Sequence, residues 1–295
     1  MNFKSGFVSI IGRPNVGKST LVNALIGEKL SITSDKVQTT RNKIQCVLHM
    51  ENSQIIFVDT PGIVRSVNTR LGSAMEKSAS SALRGMDIIL FVVTPDKIIG
   101  PMDKEIINAL KGNVVFLLIN KIDTISKNNL LEVIETYRKA FNFNEIIPVS
   151  AISGDTNNLP KVIEGYLSEG PMYFPKDMVT DQPERQIVSE LIREKLLNYL
   201  QDEIPHGIAI EILKMKKREN SNIVDIYATI YCERESHKAI IIGKNGSLIK
   251  KVSTEARVEI EKLFGIKIFL QSRVKVKKDW RNNNRILQNL GLIAE

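Results

Sequence analysis

Residues 12–19, Gly12-Arg13-Pro14-Asn15-Val16-Gly17-Lys18-Ser19, bracket a short loop with glycines and follow it with one ammonium and one hydroxyl. Glycine lets the chain turn tightly enough for successive backbone N–H groups to point at one place, and a helix starting at the lysine adds the positive end of its dipole. The spacing GxxxxGK followed by a hydroxyl residue, directly after the apolar run at 7–11, is that of a phosphate-binding loop. It implies that Lys18 reaches the β- and γ-phosphates of a nucleotide and that the Ser19 hydroxyl coordinates Mg²⁺. Gly12, Arg13, Pro14, Asn15, Val16, Gly17 and Thr20 would complete the cradle.

A phosphate cradle does not choose a base; Asn120-Lys121-Ile122-Asp123 does. The Asp123 carboxylate can accept from both N1–H and the 2-amine of guanine. Adenine offers a lone pair at N1 and no 2-amine, so the same carboxylate would face it as an unpaired, desolvated anion. Lys121 would lie along the base, and Asn120 would either brace the surrounding loops or reach N7. The backbone N–H of Ser150-Ala151 is placed for guanine O6, although an ordinary strand-to-helix turn gives the same two residues.

Two further segments belong at the phosphate end. In Asp59-Thr60-Pro61-Gly62 the aspartate would hold Mg²⁺ through a water, and the small Gly62 can bring its N–H to the γ-phosphate. Thr39 and Thr40 lie in a polar loop where one hydroxyl could close the Mg²⁺ shell when GTP is present; Thr40 is favoured and Thr39 is the alternative. The metal ligands expected are thus Ser19, Thr40 and Asp59.

The elements that must position these residues follow from the apolar pattern. Short apolar runs at 7–11, 45–49, 54–58, 88–93, 114–119 and 145–149 alternate with amphipathic segments at 19–25, 75–83, 102–110, 130–141 and 158–167. Strands alternating with helices require crossovers, which gives a three-layer α/β domain with a mostly parallel sheet. We place this domain at 1–170 and a linker, rich in proline and polar residues, at 171–183. Residues 184–295 form a smaller α+β domain in the order helix 184–200, strands 207–214 and 223–233, helices 237–242 and 247–264, strand 266–277 and helix 281–290.

Gly243-Lys244-Asn245-Gly246 stands between the two middle helices of that second domain. A GxxG loop so placed allows close approach of a sugar-phosphate backbone, with a helix N-terminus behind it and charge from Lys244, Lys250 and Lys251. Ile242 and Ile249 would line a groove for bases. Across residues 238–285, 13 basic residues stand against 4 acidic ones, in a chain of net charge +8, which points to a polyanionic partner. Trp280 either extends that surface or packs the last helix. The element order resembles the type II KH fold, whose GxxG loop clamps single-stranded RNA.

The ordered motifs at 12–19, 38–41, 59–62, 120–123 and 150–151 resemble those of translation-factor-related GTPases, and with the KH-like second domain the fit is to the Era family. The resemblance implies GTP hydrolysis to GDP with Lys18, Thr40, Gly62 and Asn15 as the groups that act on it. It also implies binding near the 3′ end of small-subunit ribosomal RNA and a role in assembling the small ribosomal subunit. Asn15 resembles the asparagine by which related GTPases hold potassium beside the phosphates; the alternative is a hydrogen bond that ties the loop together. Ile63 occupies the position where Ras carries a water-orienting glutamine, so unaided hydrolysis should be slow.

Other classes find little support. Cys46 and Cys232 are far apart, and His49, His206 and His237 form no catalytic or metal constellation. A second catalytic centre, such as one for tRNA modification, is not evident. The apolar runs are far shorter than the roughly 20 residues that span a bilayer, and a strand beginning by Gly6 leaves no room for a signal peptide. A cytoplasmic monomer is expected; the family resemblance also allows peripheral association with the inner face of the membrane.

Overall fold

Unbroken apolar runs form the centre of the first sheet because both of its faces are covered. The computed structural model describes residues 2–34, 36, 39–62, 69–81 and 84–293. The strands are β1 (Lys4–Ile11), β2 (Ile44–His49), β3 (Ser53–Asp59), β4 (Ile88–Val93), β5 (Val115–Ile119) and β6 (Glu145–Pro148). They lie in the order β2-β3-β1-β4-β5-β6, and all pairings are parallel except β2 with β3. Alternate residues of each central strand enter different cores. Leu90, Val92, Phe116 and Leu118 pack on one face with Leu21 and Val22 of α1 (Lys18–Ile26) and Ile163 of α5 (Leu159–Tyr166). Ile89, Phe91, Val115 and Leu117 pack on the other with Ile106 of α3 (Pro101–Ala109) and Val133 and Tyr137 of α4 (Lys127–Ala140). The loops leaving β1, β3, β5 and β6 therefore emerge along one edge of the sheet, where open α/β folds place ligands.

Two helices begin earlier than apolar periodicity indicates, because polar caps start them. The Ser126 hydroxyl accepts from the Asn129 N–H, so α4 starts at Lys127. The Thr69 hydroxyl accepts from the Gly72 N–H, and α2 spans Arg70–Ser81; residues 82 and 83 of the expected helix lie outside the described residues.

The first unit ends at Asp181, and the second takes in the chain from Gln182 onward together with described residues 34, 36, 39 and 69–74. The stretch leading to Asp181 is held by hydrogen bonds to the first sheet. Val47 N–H donates to the Val179 carbonyl at 2.8 Å, the Thr180 hydroxyl donates to the Gln45 carbonyl at 2.8 Å, and the Gln54 amide bonds both Tyr173 and Phe174. These contacts cover the edge that β2 would otherwise leave open.

The second unit has a three-stranded sheet, β7 (Ala209–Lys217), β8 (Ile223–Cys232) and β9 (Lys267–Val276), with β8 antiparallel to β7 and parallel to β9. Its helices are α6 (Glu184–Tyr199), α7 (Glu235–Ile242), α8 (Ser247–Phe264) and α9 (Asn284–Asn289); α6 packs on β7 and α8, and α8 on β9. Trp280 is completely buried and its indole N–H donates to the Gly207 carbonyl at 2.9 Å. It is a packing residue and forms no part of an exposed surface. Trp280→Ala should lower the stability of this unit by about 3–5 kcal/mol, read from its denaturant midpoint by circular dichroism, with the first unit's transition unchanged.

Candidate functional site

The cradle loop runs from Ile11, the last residue of β1, to Lys18, the first of α1. Its two glycines are forced by what lies behind them. A Cβ on Gly12 (φ 152°) would stand 2.3 Å from the Val92 carbonyl oxygen, and one on Gly17 (φ 98°) 2.3 Å from the Asn120 side-chain nitrogen. Asn15 also takes a left-handed conformation, at φ 64°. Lys18 is buried and its ammonium donates to the Gly12 and Arg13 carbonyls at 3.1 and 2.9 Å. Burial brings its pKa down to about 8 against the opposing pull of the Asp59 charge. A phosphate in the cradle would give this ammonium an anionic partner in place of peptide oxygens.

Ser19, Thr40 and Asp59 meet beside it. The Ser19 hydroxyl donates to Asp59 Oδ2 at 3.0 Å and lies 3.0 Å from the Thr40 hydroxyl. Asp59 is fully buried, and its Oδ1 has no hydrogen-bond partner of standard geometry. Burial pushes the carboxyl up, opposed first by the Lys18 ammonium and then by the hydroxyls of Ser19 and Ser31. Two hydroxyls and an underused carboxylate form an all-oxygen set that suits a hard divalent cation such as Mg²⁺. The Thr39 hydroxyl instead donates to the Lys36 carbonyl at 2.6 Å. Thr60 is tied to the Ile10 carbonyl at 3.2 Å and Pro61 is buried. A Cβ on Gly62 would come within 3.2 Å of both the Lys18 ammonium and the Pro14 nitrogen, so the backbone at 62 reaches the cradle because it carries no side chain. Ile63 lies outside the described residues. Thr20 follows in the first turn of α1, partly buried.

At the base end, the sequence left Asn120 with two roles, and its side chain makes the brace. It is buried, donates to the Val16 carbonyl at 2.8 Å and accepts from the Ala151 N–H at 3.0 Å, joining three loops with one amide. The Lys121 ammonium crosses to the Asn15 carbonyl at 2.9 Å. Asp123 sits on a 3-10 turn (Ile122–Thr124), where the Ser150 hydroxyl donates to its Oδ1 at 2.5 Å. The backbone N–H groups of Ser150 and Ala151 are both engaged within the chain, by Asp155 and Asn120. Sequence reasoning missed what holds Arg13: its guanidinium donates to the Thr94 hydroxyl and to Asp96, each at 2.8 Å, and stands 2.9 Å from Asp103. Those partners are 81 to 90 positions away along the chain and belong to no local pattern.

In the second unit, Gly243 (φ 73°), Asn245 (φ 53°) and Gly246 (φ 75°) all have left-handed backbone φ. A Cβ on Gly243 would meet the Cβ of Leu248 at 2.9 Å, whereas Gly246 has open space around it and caps α8. Lys244, Asn245 and Lys250 are exposed, and the Lys251 ammonium lies 4.4 Å from the centre of the Tyr199 ring. Ile242 and Ile249 are partly buried. Ile240, also flanking the loop, is half exposed on α7 while its neighbour Ile241 is fully buried. Among the described residues, no group of three His, Cys, Asp or Glu forms a metal cluster, and no helix is long and apolar enough to cross a membrane.

Residues 7–121 match the family described as 50S ribosome-binding GTPase, and residues 203–281 match the KH domain family. Along its whole length the chain is 55% identical to GTPase Era of Clostridioides difficile, covering 98% of both proteins. The chain belongs to the GTPase Era family. GTPase Era of Alkaliphilus metalliredigens is likewise 55% identical, over 99% of each chain. A crystal structure of Era in complex with MgGDPNP and nucleotides 1506–1542 of 16S ribosomal RNA superposes with a TM-score of 0.94 at 40% identity, covering 98% of this chain and 99% of that one. A variant of Aquifex aeolicus Era bound to GDP and aluminium fluoride gives the same TM-score at 39% identity and the same coverage. Era membership makes the first unit a GTP-binding, GTP-hydrolysing domain and the second a KH domain.

Asn120→Ala would leave the Val16 carbonyl and the Ala151 N–H unpaired in a buried place, at about 1–3 kcal/mol each. The dissociation constant for GDP, measured with a fluorescent analogue, should rise by roughly tenfold or more while the helical circular dichroism signal stays at the wild-type level.

Proposed function

We propose that this chain is a GTP-operated RNA-binding switch acting on the 3′ end of small-subunit ribosomal RNA during assembly of that subunit. The reading divides the chain into a G domain at 1–170, a connecting segment at 171–183 and an RNA-binding KH domain at 184–295. What carries it is the meeting of Ser19, Thr40 and Asp59 beside the buried Lys18, in a chain whose solved relative holds MgGDPNP and 16S ribosomal RNA.

Mg²⁺, when bound, supplies positive charge between the β- and γ-phosphates where negative charge moves during phosphoryl transfer. Ser19, Thr40 and Asp59 would hold it. Lys18 binds the β- and γ-phosphates, and Gly62 turns its N–H toward the γ-phosphate. Asp123 selects guanine, with Ser150 holding the carboxylate in place and Lys121 flanking the base. Thr40 and Gly62 are the groups that sense the γ-phosphate, and loss of that phosphate frees the segments they belong to. Asn15 would hold a potassium ion beside the phosphates, adding charge where an arginine finger would act. Ile63 has no group that orients water, so the isolated protein turns over slowly and RNA accelerates it.

In the KH domain, the GxxG loop presents the Gly243 and Gly246 backbone with Lys244 and Asn245 to the sugar-phosphate chain. Lys250 and Lys251 add charge, and Ile242 and Ile249 meet the bases. The protein would work as a cytoplasmic monomer, and any association with the inner membrane face would be peripheral.

Three measurements test this reading. Asp123→Asn should exchange GTP for XTP as the preferred substrate by roughly a hundredfold in kcat/KM; an unchanged preference would remove Asp123 from base recognition. GTP hydrolysis in potassium chloride should exceed that in sodium chloride, and equal rates would exclude the potassium role of Asn15. A short RNA matching the 3′ end of small-subunit ribosomal RNA should stimulate turnover in the wild type but not in Gly243→Asp, whose new side chain would collide with Leu248. Failure of the wild type to bind that RNA would refute the RNA-binding half.

A further inference from the structure

The cradle loop contains a second basic side chain, and the structure turns it away from the loop's interior. Arg13 is fixed at three points: its Nη2 donates to the Thr94 hydroxyl and to Asp96 Oδ2 at 2.8 Å, and its Nε stands 2.9 Å from Asp103 Oδ2. Two of these partners differ sharply in setting. Asp96 is exposed in the loop after β4, whereas Asp103 is 1% exposed in the first turn of α3. A carboxylate kept out of water is costly, and an apolar side chain at that depth would pack without the penalty. Asp103 has only a modest set of compensating contacts: the N-terminal end of α3, Arg13, and the hydroxyl of the completely buried Tyr137 at 3.4 Å. Its Oδ1 has no hydrogen-bond partner. Such a residue adds little to stability, but it fixes the direction of Arg13.

That direction matters to the phosphate site because the Arg13 carbonyl is one of the two oxygens that hold the Lys18 ammonium. Side chain and carbonyl belong to one residue, so clamping the guanidinium limits the rotation of the peptide that faces Lys18. Two carboxylates also keep the Arg13 charge off the phosphates and leave Lys18 as the cradle's own cation. We propose that Asp103 is a positioning residue for nucleotide binding, acting through Arg13 on the main chain that receives the phosphates. This rests on the nucleotide-site reading above and adds to it a residue that touches neither nucleotide nor metal.

The test uses the full-length chain and measures displacement of a fluorescent GDP by stopped flow, steady-state GTP hydrolysis and the thermal midpoint. Asp103→Asn keeps the shape and removes the charge. It should accelerate GDP release and raise KM by about tenfold, the effect of losing one close, buried ion pair, with kcat within about threefold and no matching fall in thermal midpoint. In an Arg13→Gln background the same substitution should add less than about a twofold effect, since its route to the loop is already gone. Unchanged GDP release in a folded Asp103→Asn protein would overturn the proposal, as would a full, additive effect in the Arg13→Gln background. Should Asp103→Asn fail to fold, Arg13→Lys takes its place: it keeps the charge but cannot reach both carboxylates, and unaltered GDP release there would overturn the proposal equally. A wild-type protein that bound no guanine nucleotide would instead sink the nucleotide-site reading itself.

Discussion

A lysine and an aspartate held out of water, Lys18 and Asp59, set the terms for everything around them. Each is costly to bury, and in each case burial moves the group toward its neutral form. Their mutual attraction offsets part of that cost, and the remainder is met by groups that only this fold brings within reach: peptide carbonyls of residues 12 and 13 for the ammonium, hydroxyls for the carboxylate. The glycines at 12 and 17 are a consequence, because the loop must press against β4 and Asn120 to wrap the lysine. The site is thereby poised: both charges have weak partners inside the protein and would have strong ones in a phosphate and a divalent cation.

A second tier of contacts keeps that arrangement rigid. Asn120 ties the loop after β5 to the cradle and to the loop after β6, Lys121 reaches Asn15, and Arg13 is held from the far side by the β4 loop and α3. Three chain segments, the farthest more than a hundred residues along, thus converge on one loop of eight, and a fourth braces it through Asn120. Rigidity of this kind limits the ordering cost of binding, because the backbone N–H groups are arranged before the ligand arrives.

How much of this could be read from the sequence depends on the range of the interaction. Parallel strands buried on both faces, such as β4 and β5, are unbroken apolar runs, so the layer architecture was legible from runs such as 88–93 and 114–119 and the amphipathic segments between them. Residue types at fixed spacing marked the cradle and the guanine-selecting loop. Which of Thr39 and Thr40 approaches Ser19 was not legible, since adjacent residues share every local signal and only folding separates their hydroxyls. Arg13 gave no sign of its carboxylate partners, and Trp280 gave none of the Gly207 carbonyl, because each pair is joined only through the tertiary fold. The polar stretch at 171–181 has a linker's composition, yet its backbone and its neighbours' side chains are hydrogen-bonded to the sheet, a property that composition does not record.

That stretch also bears on the order in which the protein is made. Synthesis proceeds from the N-terminus, and β2 emerges more than 120 residues before its covering strip. Until residue 181 clears the ribosome, the β2 edge of the first sheet keeps unsatisfied N–H and C=O groups, the feature most prone to pairing with another chain. Completion of the nucleotide domain therefore waits on residues beyond its last helix, so that a nascent chain halted short of 181 carries the strands and helices of that domain but not its closed edge.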